Sequence, residues 1–406
     1  MMLYEAYQGY RDLTVPVCAL ATSSLPALNL AVEGPVSAFG ARELAALAEL
    51  TRLATLRHRR PDFRIAEIVV GDDSVKVTEQ VAHRTAFGTL LHFRKGAVRP
   101  APRVLIVAPM SGHFATLLRE TARTMLSDHD VFLTDWHNAR DVPLTCGRFG
   151  LDEYVEHIIE FLGVMGPPAH VVAVCQPCVA ALAATAIMAE DDHPATPASL
   201  TLMAGPIDCR IAPTRVNELA ATRPIDWFER NLVAIVPLRY RGALRSVYPG
   251  FLQLTAFMNM NLERHVDAFK GYYADLVNGE TERAEATRTF YEEYFAVADL
   301  PARFYLDTVR YVFQECALAN HELRFRGRVV NPAALRRTFL LTVEGERDDI
   351  CSLGQTMAAH ELCTGLRSFM RSHYMQVGVG HYGVFSGRRW NASIYPVVRD
   401  TIDAAR

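Results

Sequence analysis

Three residue types that together can carry out acyl transfer stand at the ends of apolar segments: a thiol at Cys175, a carboxylate at Asp348 and an imidazole at His381. A thiolate attacks a carbonyl carbon, an imidazole moves the proton, and a carboxylate keeps the imidazole in the useful orientation. Cys175 follows His170-Val-Val-Ala-Val174, which has the length and composition of a buried strand. After the break at Gln176-Pro177, Cys178-Val-Ala-Ala-Leu-Ala-Ala-Thr-Ala-Ile-Met188 reads as an apolar helix. The thiol is therefore expected at a sharp strand-to-helix turn, beside the positive end of a helix. His381 lies in Gly378-Val-Gly-His-Tyr-Gly383, where flanking glycines let a tight loop carry the ring over the thiol. Asp348 lies in Glu344-Gly-Glu-Arg-Asp-Asp-Ile350, with Glu346 and Asp349 as neighbouring alternatives for the acid.

Acyl transfer also needs donors for the oxyanion. The backbone N–H of Gln176 is one, and the loop Pro109-Met-Ser-Gly-His113 offers a second from Met110 or Ser111. His113 is a candidate substrate contact, as are Trp136 and Asn138 in the polar and aromatic run Asp135-Trp-His-Asn-Ala-Arg-Asp-Val-Pro143. Such runs at strand ends also serve simply to cap local backbone. Cys175 and Cys178 form a C-x-x-C, which admits a redox dithiol reading. That reading leaves Asp348 and His381 without a task. A zinc site would want a second pair of similar spacing, and the sequence has none. No metal and no cofactor are expected.

The elements that must position these groups alternate. Strands are predicted at Val104–Ala108, Val131–Thr134, His170–Val174 and Ser199–Met203, with helices at about His113–Leu126 and Leu151–Val164 and after Cys175. From 207 to 331 the pattern turns helical and rich in Phe, Tyr and Met, with no evident strands. Alternation resumes with strand Thr338–Val343, a helix near Leu353–Leu362, strand Tyr374–Val377 and a last helix ending near Ala405. Strand–helix alternation implies a mostly parallel sheet with helices on both faces. Chain order nucleophile, acid, histidine is that of the α/β-hydrolase fold, with a helical cap inserted between the strands that carry nucleophile and acid. The expected organisation is a core at 101–206 and 332–406, a cap at 207–331, and an N-terminal extension at 1–100. That extension holds a helix at Ala41–Arg57 and a hairpin, Arg64–Val70 and Ser74–Val81, turning at Gly71-Asp-Asp73.

Bulk properties exclude several classes. A formal net charge of -3 at pH 7 offers no basic excess for nucleic acid. Eight cysteines in 406 residues are too dilute for a disulfide scaffold and suit reduced thiols in a cytoplasmic protein. Val171–Ala189 is uncharged, but Gln176-Pro177 divides it into strand and helix, so no transmembrane segment is expected. The apolar stretch Val15–Leu30 is interrupted by Ser, Thr, Pro and Asn and does not read as a signal peptide.

Several motifs match one family together. Ala108-Pro-Met-Ser-Gly-His-Phe-Ala-Thr116, Asp135–Pro143, Ala173-Val-Cys-Gln-Pro177, Tyr248-Pro-Gly-Phe-Leu-Gln253, Phe290-Tyr-Glu-Glu-Tyr-Phe295, Val343–Ile350 and Gly378–Phe385 resemble the intracellular poly(3-hydroxybutyrate) depolymerases. Those enzymes are relatives in fold of the polyhydroxyalkanoate synthases. The resemblance implies a cytoplasmic enzyme acting on polyester storage granules and releasing 3-hydroxybutyrate or short oligomers. Its triad would fall on Cys175, Asp348 and His381. Ala173 and Pro177 stand where a synthase would show glycines, which argues against the synthase-like acyltransferase alternative. Water and coenzyme A both remain open as acyl acceptor, and a homo-oligomer is open as well.

Overall fold

The computed structural model describes residues 4–16, 35–96, 100–260 and 262–406. Cys18 and most of the stretch Val15–Leu30 lie outside them. The chain begins with helices α1 (residues 4–16) and α2 (Pro35–Leu53). Seven strands follow: β1 (Glu67–Val70), β2 (Asp73–Arg84), β3 (Gly88–Lys95), β4 (Arg103–Val107), β5 (Asp130–Trp136), β6 (Ala169–Val174) and β7 (Ser199–Met203). Helices α3 (Arg119–Met125), α4 (Leu151–Met165) and α5 (Cys178–Glu190) connect the later ones.

Residues 207–331 hold helices α6 (Arg215–Thr222), α7 (Ile225–Leu232), α8 (Gly250–Met260), α9 (Leu262–Asn278), α10 (Thr281–Tyr294) and α11 (Ala302–Asp307). They also hold strands that the sequence pattern hides. β8 (Ala234–Ile235), β9 (Ser246–Tyr248) and β10 (Leu300–Pro301) form a small sheet, and β11 (Arg324–Phe325) pairs with β12 (Arg328–Val329). Two- and three-residue strands are too short for any periodicity to register. The chain then returns through β13 (Phe339–Gly345) and β14 (Arg371–Gln376) to a C-terminal helix, Tyr395–Ala404. The helix expected near Leu353 shrinks to Ala359–Leu362. The backbone before it instead bonds to Glu344, whose carboxylate accepts from the N–H groups of Gly354, Thr356 and Met357 at 2.9, 2.7 and 3.0 Å.

Among the described residues nine strands join in the order β1-β2-β3-β5-β4-β6-β7-β13-β14. β3 runs antiparallel to both β2 and β5, and every pairing from β5 to β14 is parallel. The reversed strand β3 beside the parallel run β5 to β14, with the strand-to-helix turn that carries Cys175 directly after β6, is the α/β-hydrolase arrangement. The first hundred residues therefore extend the sheet and do not merely pack on it. β3 was not legible in the sequence. Thr89 and His92 cut its apolar run to Leu90-Leu91, and burial of both faces leaves no strict alternation in its place.

Period two divides the core. Leu105, Val107, Val171, Ala173, Leu200 and Leu202 face one side, where α4 and α5 cover them. Val104, Ile106, Val172, Val174, Leu341 and Val343 face the other, under α3 and the C-terminal helix. Helix α5 is buried on every side from Cys178 to Met188, so its sequence is apolar without a stripe. Among the described residues no helix is long and apolar enough to cross a membrane.

Candidate active site

Cys175 adopts φ +66 in the turn between β6 and α5. Left-handed backbone is unfavourable for a residue with a Cβ and persists only where the surroundings impose it. Here Cys175 N–H donates to the Met203 carbonyl at 2.7 Å, and the Cys175 carbonyl accepts from Cys178 N–H at 3.2 Å. Gly205 leaves no room for a side chain, because an added Cβ would overlap the Cys178 side chain and sit 3.0 Å from the Cys175 carbonyl oxygen. The turn thus lifts the thiol clear of the end of β6.

His381 opens a single 3-10 turn, His381–Val384, directly after Gly380. Its Nδ1–H donates to Asp348 Oδ2 at 2.7 Å. The other carboxylate oxygen, Oδ1, accepts from the N–H groups of Ile350 and Cys351 at 2.9 and 2.8 Å. The Cys175 thiol lies near enough to the imidazole to raise its proton affinity. Burial, the largest influence on His381, pushes its pKa down. The Asp348 charge, then Cys175, then the Asp348 hydrogen bond outweigh it and hold the ring well above the usual histidine range. Of the two competing acids, Glu346 instead accepts from Gly378 N–H at 2.7 Å and ties down the loop that carries His381. Asp349 acts electrostatically on Tyr294 and Tyr382. The structure therefore brings Cys175, His381 and Asp348 together.

The loop after β4 is held at both ends. The Ala108 carbonyl accepts from Trp136 Nε1–H at 2.8 Å and from the Tyr154 hydroxyl at 3.1 Å, while Ala108 N–H donates to Thr134 Oγ1 at 2.9 Å. Further on, the Ser111 carbonyl accepts from Gln253 Nε2 of α8, and the Gly112 carbonyl accepts from Ala298 N–H at 2.8 Å. Gly112 has φ +89, and an added Cβ would lie 2.6 Å from Gln253 Oε1, so only glycine fits. Met110 N–H donates to the Gln176 side-chain oxygen at 3.2 Å, which joins the two stretches expected to supply oxyanion donors.

The three expected substrate contacts fare differently. Trp136 is buried against Tyr154, with ring centroids 4.5 Å apart, and its one donor is spent on Ala108. Asn138 is buried too. Its Oδ1 accepts from Arg140 N–H at 3.3 Å and from Asp299 N–H at 3.0 Å. Both hold backbone. His113 is buried between Tyr294 and Phe257, at 5.2 and 5.7 Å, where the loop meets the inserted helices. Sequence reasoning gave no role to Tyr154, Thr134 or the side chain of Gln253, although Gln253 closes one of the family motifs.

Phe290 and Tyr294 of α10 lie 6.2 and 6.5 Å from the ring of Tyr382, the neighbour of His381. A cavity of about 970 Å³ opens beside this wall, lined among others by Phe290, Tyr382, Arg119 and Glu293. Cys178 is fully buried, with Sγ donating to the Ala173 and Met203 carbonyls at 3.4 and 3.7 Å. Cys146, Cys175, Cys178, Cys209, Cys316, Cys351 and Cys363 are all free thiols.

A search among curated proteins found no match. Solved structures that resemble the chain include the 2-hydroxy-6-oxo-6-phenylhexa-2,4-dienoate hydrolase of Rhodococcus sp. strain RHA1, at 14% identity over 81% of this chain and 99% of that one, TM-score 0.44. An alpha/beta hydrolase of Penicillium sp. sh18 shows 14% identity over 82% and 97%, TM-score 0.45. A monoacylglycerol lipase of Paleococcus ferrophilus shows 11% over 76% and 97%, TM-score 0.43. Likenesses this distant decide nothing, and the fold stands on strand order and the Cys175 turn. The model of the PHB depolymerase C-terminus matches residues 204–406, which contain Asp348 and His381 and follow Cys175. With half of its length so matched, the chain belongs to the PHB depolymerase family and is a carboxylic ester hydrolase.

Proposed function

We propose that the protein cleaves the ester bonds of poly(3-hydroxybutyrate) through a thioester on Cys175, acting at the surface of polyester storage granules. The supporting observation is the convergence of three residues: Asp348 Oδ2 lies 2.7 Å from His381 Nδ1, and the Cys175 thiol acts on the same ring. In this reading the Cys175 sulfur attacks the ester carbonyl carbon. The oxyanion is received by Gln176 N–H and by Met110 N–H once the Gln176 side chain swings off it, with Ser111 N–H as the neighbouring donor. His381 gives its proton to the departing alkoxide, then takes one from water as water opens the thioester. Asp348, bonded to two backbone N–H groups, holds the ring in the tautomer that this traffic needs. The helices of 207–331 act as a cap, and the aromatic wall of Phe290, Tyr294 and Tyr382 gives an apolar chain a surface to lie on.

The test incubates wild type and Cys175→Ala with native amorphous granules, with and without coenzyme A, and identifies products by mass. Expected is 3-hydroxybutyrate, with short oligomers, from wild type alone. Equal release by Cys175→Ala would remove the thiol from the reaction. A coenzyme A thioester among the products would make the acyl acceptor a thiol in place of water.

A further inference from the structure

Two hydrogen-bonding atoms beside the loop after β4 are buried and, among the described residues, have no partner: His113 Nε2 and Gln253 Oε1. Both are acceptors. Gln253 spends its amide N–H on the Ser111 carbonyl, so the atom left over is the carbonyl oxygen. With Nε2 unpartnered, the ring's interaction with the Tyr294 backbone falls to Nδ1, which puts the proton there. Burial pushes His113 down to about 4, so at neutral pH the ring is uncharged and Nε2 carries a lone pair. The two acceptors are close neighbours along the loop, since the Gln253 amide presses on Gly112, the residue before His113. Buried acceptors without donors are a standing cost and call for a reason.

A polyester narrows the reason. Interior repeats of the chain carry carbonyl and ester oxygens only, which accept and do not donate. The carboxyl end is an anion at neutral pH and also accepts. The one donor on the polymer is the hydroxyl of its terminal unit, three bonds from that unit's own carbonyl carbon. Ser111 and His113 are two residues apart, at most about 7 Å of chain. A carbonyl oxygen at the oxyanion donors therefore puts the terminal hydroxyl beside the same short stretch of loop that carries His113.

Resting on the ester-cleaving reading above, we infer that the site takes the hydroxyl-bearing end of the chain, its 3-hydroxyl donating to His113 Nε2 with Gln253 Oε1 alongside. The hydroxyl-terminal unit then becomes the acyl group on Cys175. A C–S bond forms and the ester C–O bond breaks. The His381 proton passes to the departing alkoxide, which becomes the hydroxyl end of a chain one unit shorter. Water opens the thioester and frees one 3-hydroxy acid, so each product chain is again a substrate.

The experiment compares the linear trimer of 3-hydroxybutyrate with the same trimer carrying a butyryl terminal unit, which lacks only the hydroxyl. Wild type is expected to prefer the hydroxyl-bearing trimer by about tenfold or more in kcat/KM. Its first products are expected to be monomer and dimer, with the monomer drawn from the hydroxyl end when that unit is isotopically marked. His113→Phe keeps the aromatic packing and is expected to bring the two trimers level by slowing the first. Equal rates for both trimers in wild type, or monomer drawn first from the carboxyl end, would overturn the inference while leaving ester cleavage intact. Failure of wild type to cleave either trimer would remove the ester-cleaving reading as well.

Discussion

Replacing Asp348 by asparagine separates the orientation of His381 from everything else about the site. The amide matches the carboxylate in shape, and the backbone decides which end goes where. Ile350 and Cys351 aim their N–H groups at Oδ1 from 2.9 and 2.8 Å, so the amide oxygen must stay there. Turning the amide round would set NH2 against two N–H donors and forfeit two buried hydrogen bonds, about 2–6 kcal/mol in all. The NH2 group therefore occupies the Oδ2 position, 2.7 Å from His381 Nδ1, and donates to it. The imidazole must then present a lone pair at Nδ1 and carry its proton on the nitrogen that faces Cys175. A base in that tautomer cannot take the thiol proton. The variant also loses the strongest upward influence on a buried ring. The expected loss is about 10³- to 10⁴-fold in kcat with KM little changed. Initial rates on water-soluble 3-hydroxybutyrate oligomers measure it, with thermal unfolding to show that the variant is folded. A folded Asp348→Asn enzyme within about tenfold of wild-type kcat, some 1.4 kcal/mol, would refute the reasoning.

Other consequences are as direct. Cys178→Ala removes a buried thiol that bonds only backbone carbonyls, so activity should stay near wild type with stability lowered by about 1–2 kcal/mol in urea titration; loss of turnover in a folded variant would restore the dithiol reading. Gly205→Ala drives a methyl into the Cys178 side chain behind the Cys175 turn and should cost about 1–3 kcal/mol, read as a lower denaturation midpoint. Trp136→Phe and Tyr154→Phe each take one donor from the Ala108 carbonyl, at about 1 kcal/mol apiece. The double variant frees the loop and should lower kcat more than it changes KM; unchanged kcat would show that the loop needs no such anchor. His381 has a folded-state pKa above its unfolded value, so its stabilisation is complete below the unfolded pKa and disappears as pH rises through the folded one. The gap in thermal midpoint between wild type and His381→Gln should therefore narrow on the alkaline side, and a gap that widens there would contradict the assigned direction.

Much of the site was legible before any coordinates. The Cys175 turn could be read because strand, break and helix are contiguous, and each leaves a local pattern. Strands β4, β5, β6, β7 and β13 were readable because a strand shielded on both faces is a short apolar run. Cys178 is the instructive ambiguity. The spacing C-x-x-C permits a reactive pair, and only the packing of Gly205 and the Met203 carbonyl around the second sulfur makes it a buried filler.

The sequence by itself determined which residue types were present, their order along the chain, and the alternation that makes a parallel sheet. Those are properties of neighbours, and neighbours determine local structure. Tertiary structure alone decided that Asp348 and not Glu346 meets His381 across 33 positions, that Trp136 and Asn138 turn inward to hold backbone, and that Gln253 reaches Ser111 across 142. Such contacts depend on where separate elements come to rest against one another, and hydrogen-bond geometry at 3 Å leaves no trace in the spacing of letters.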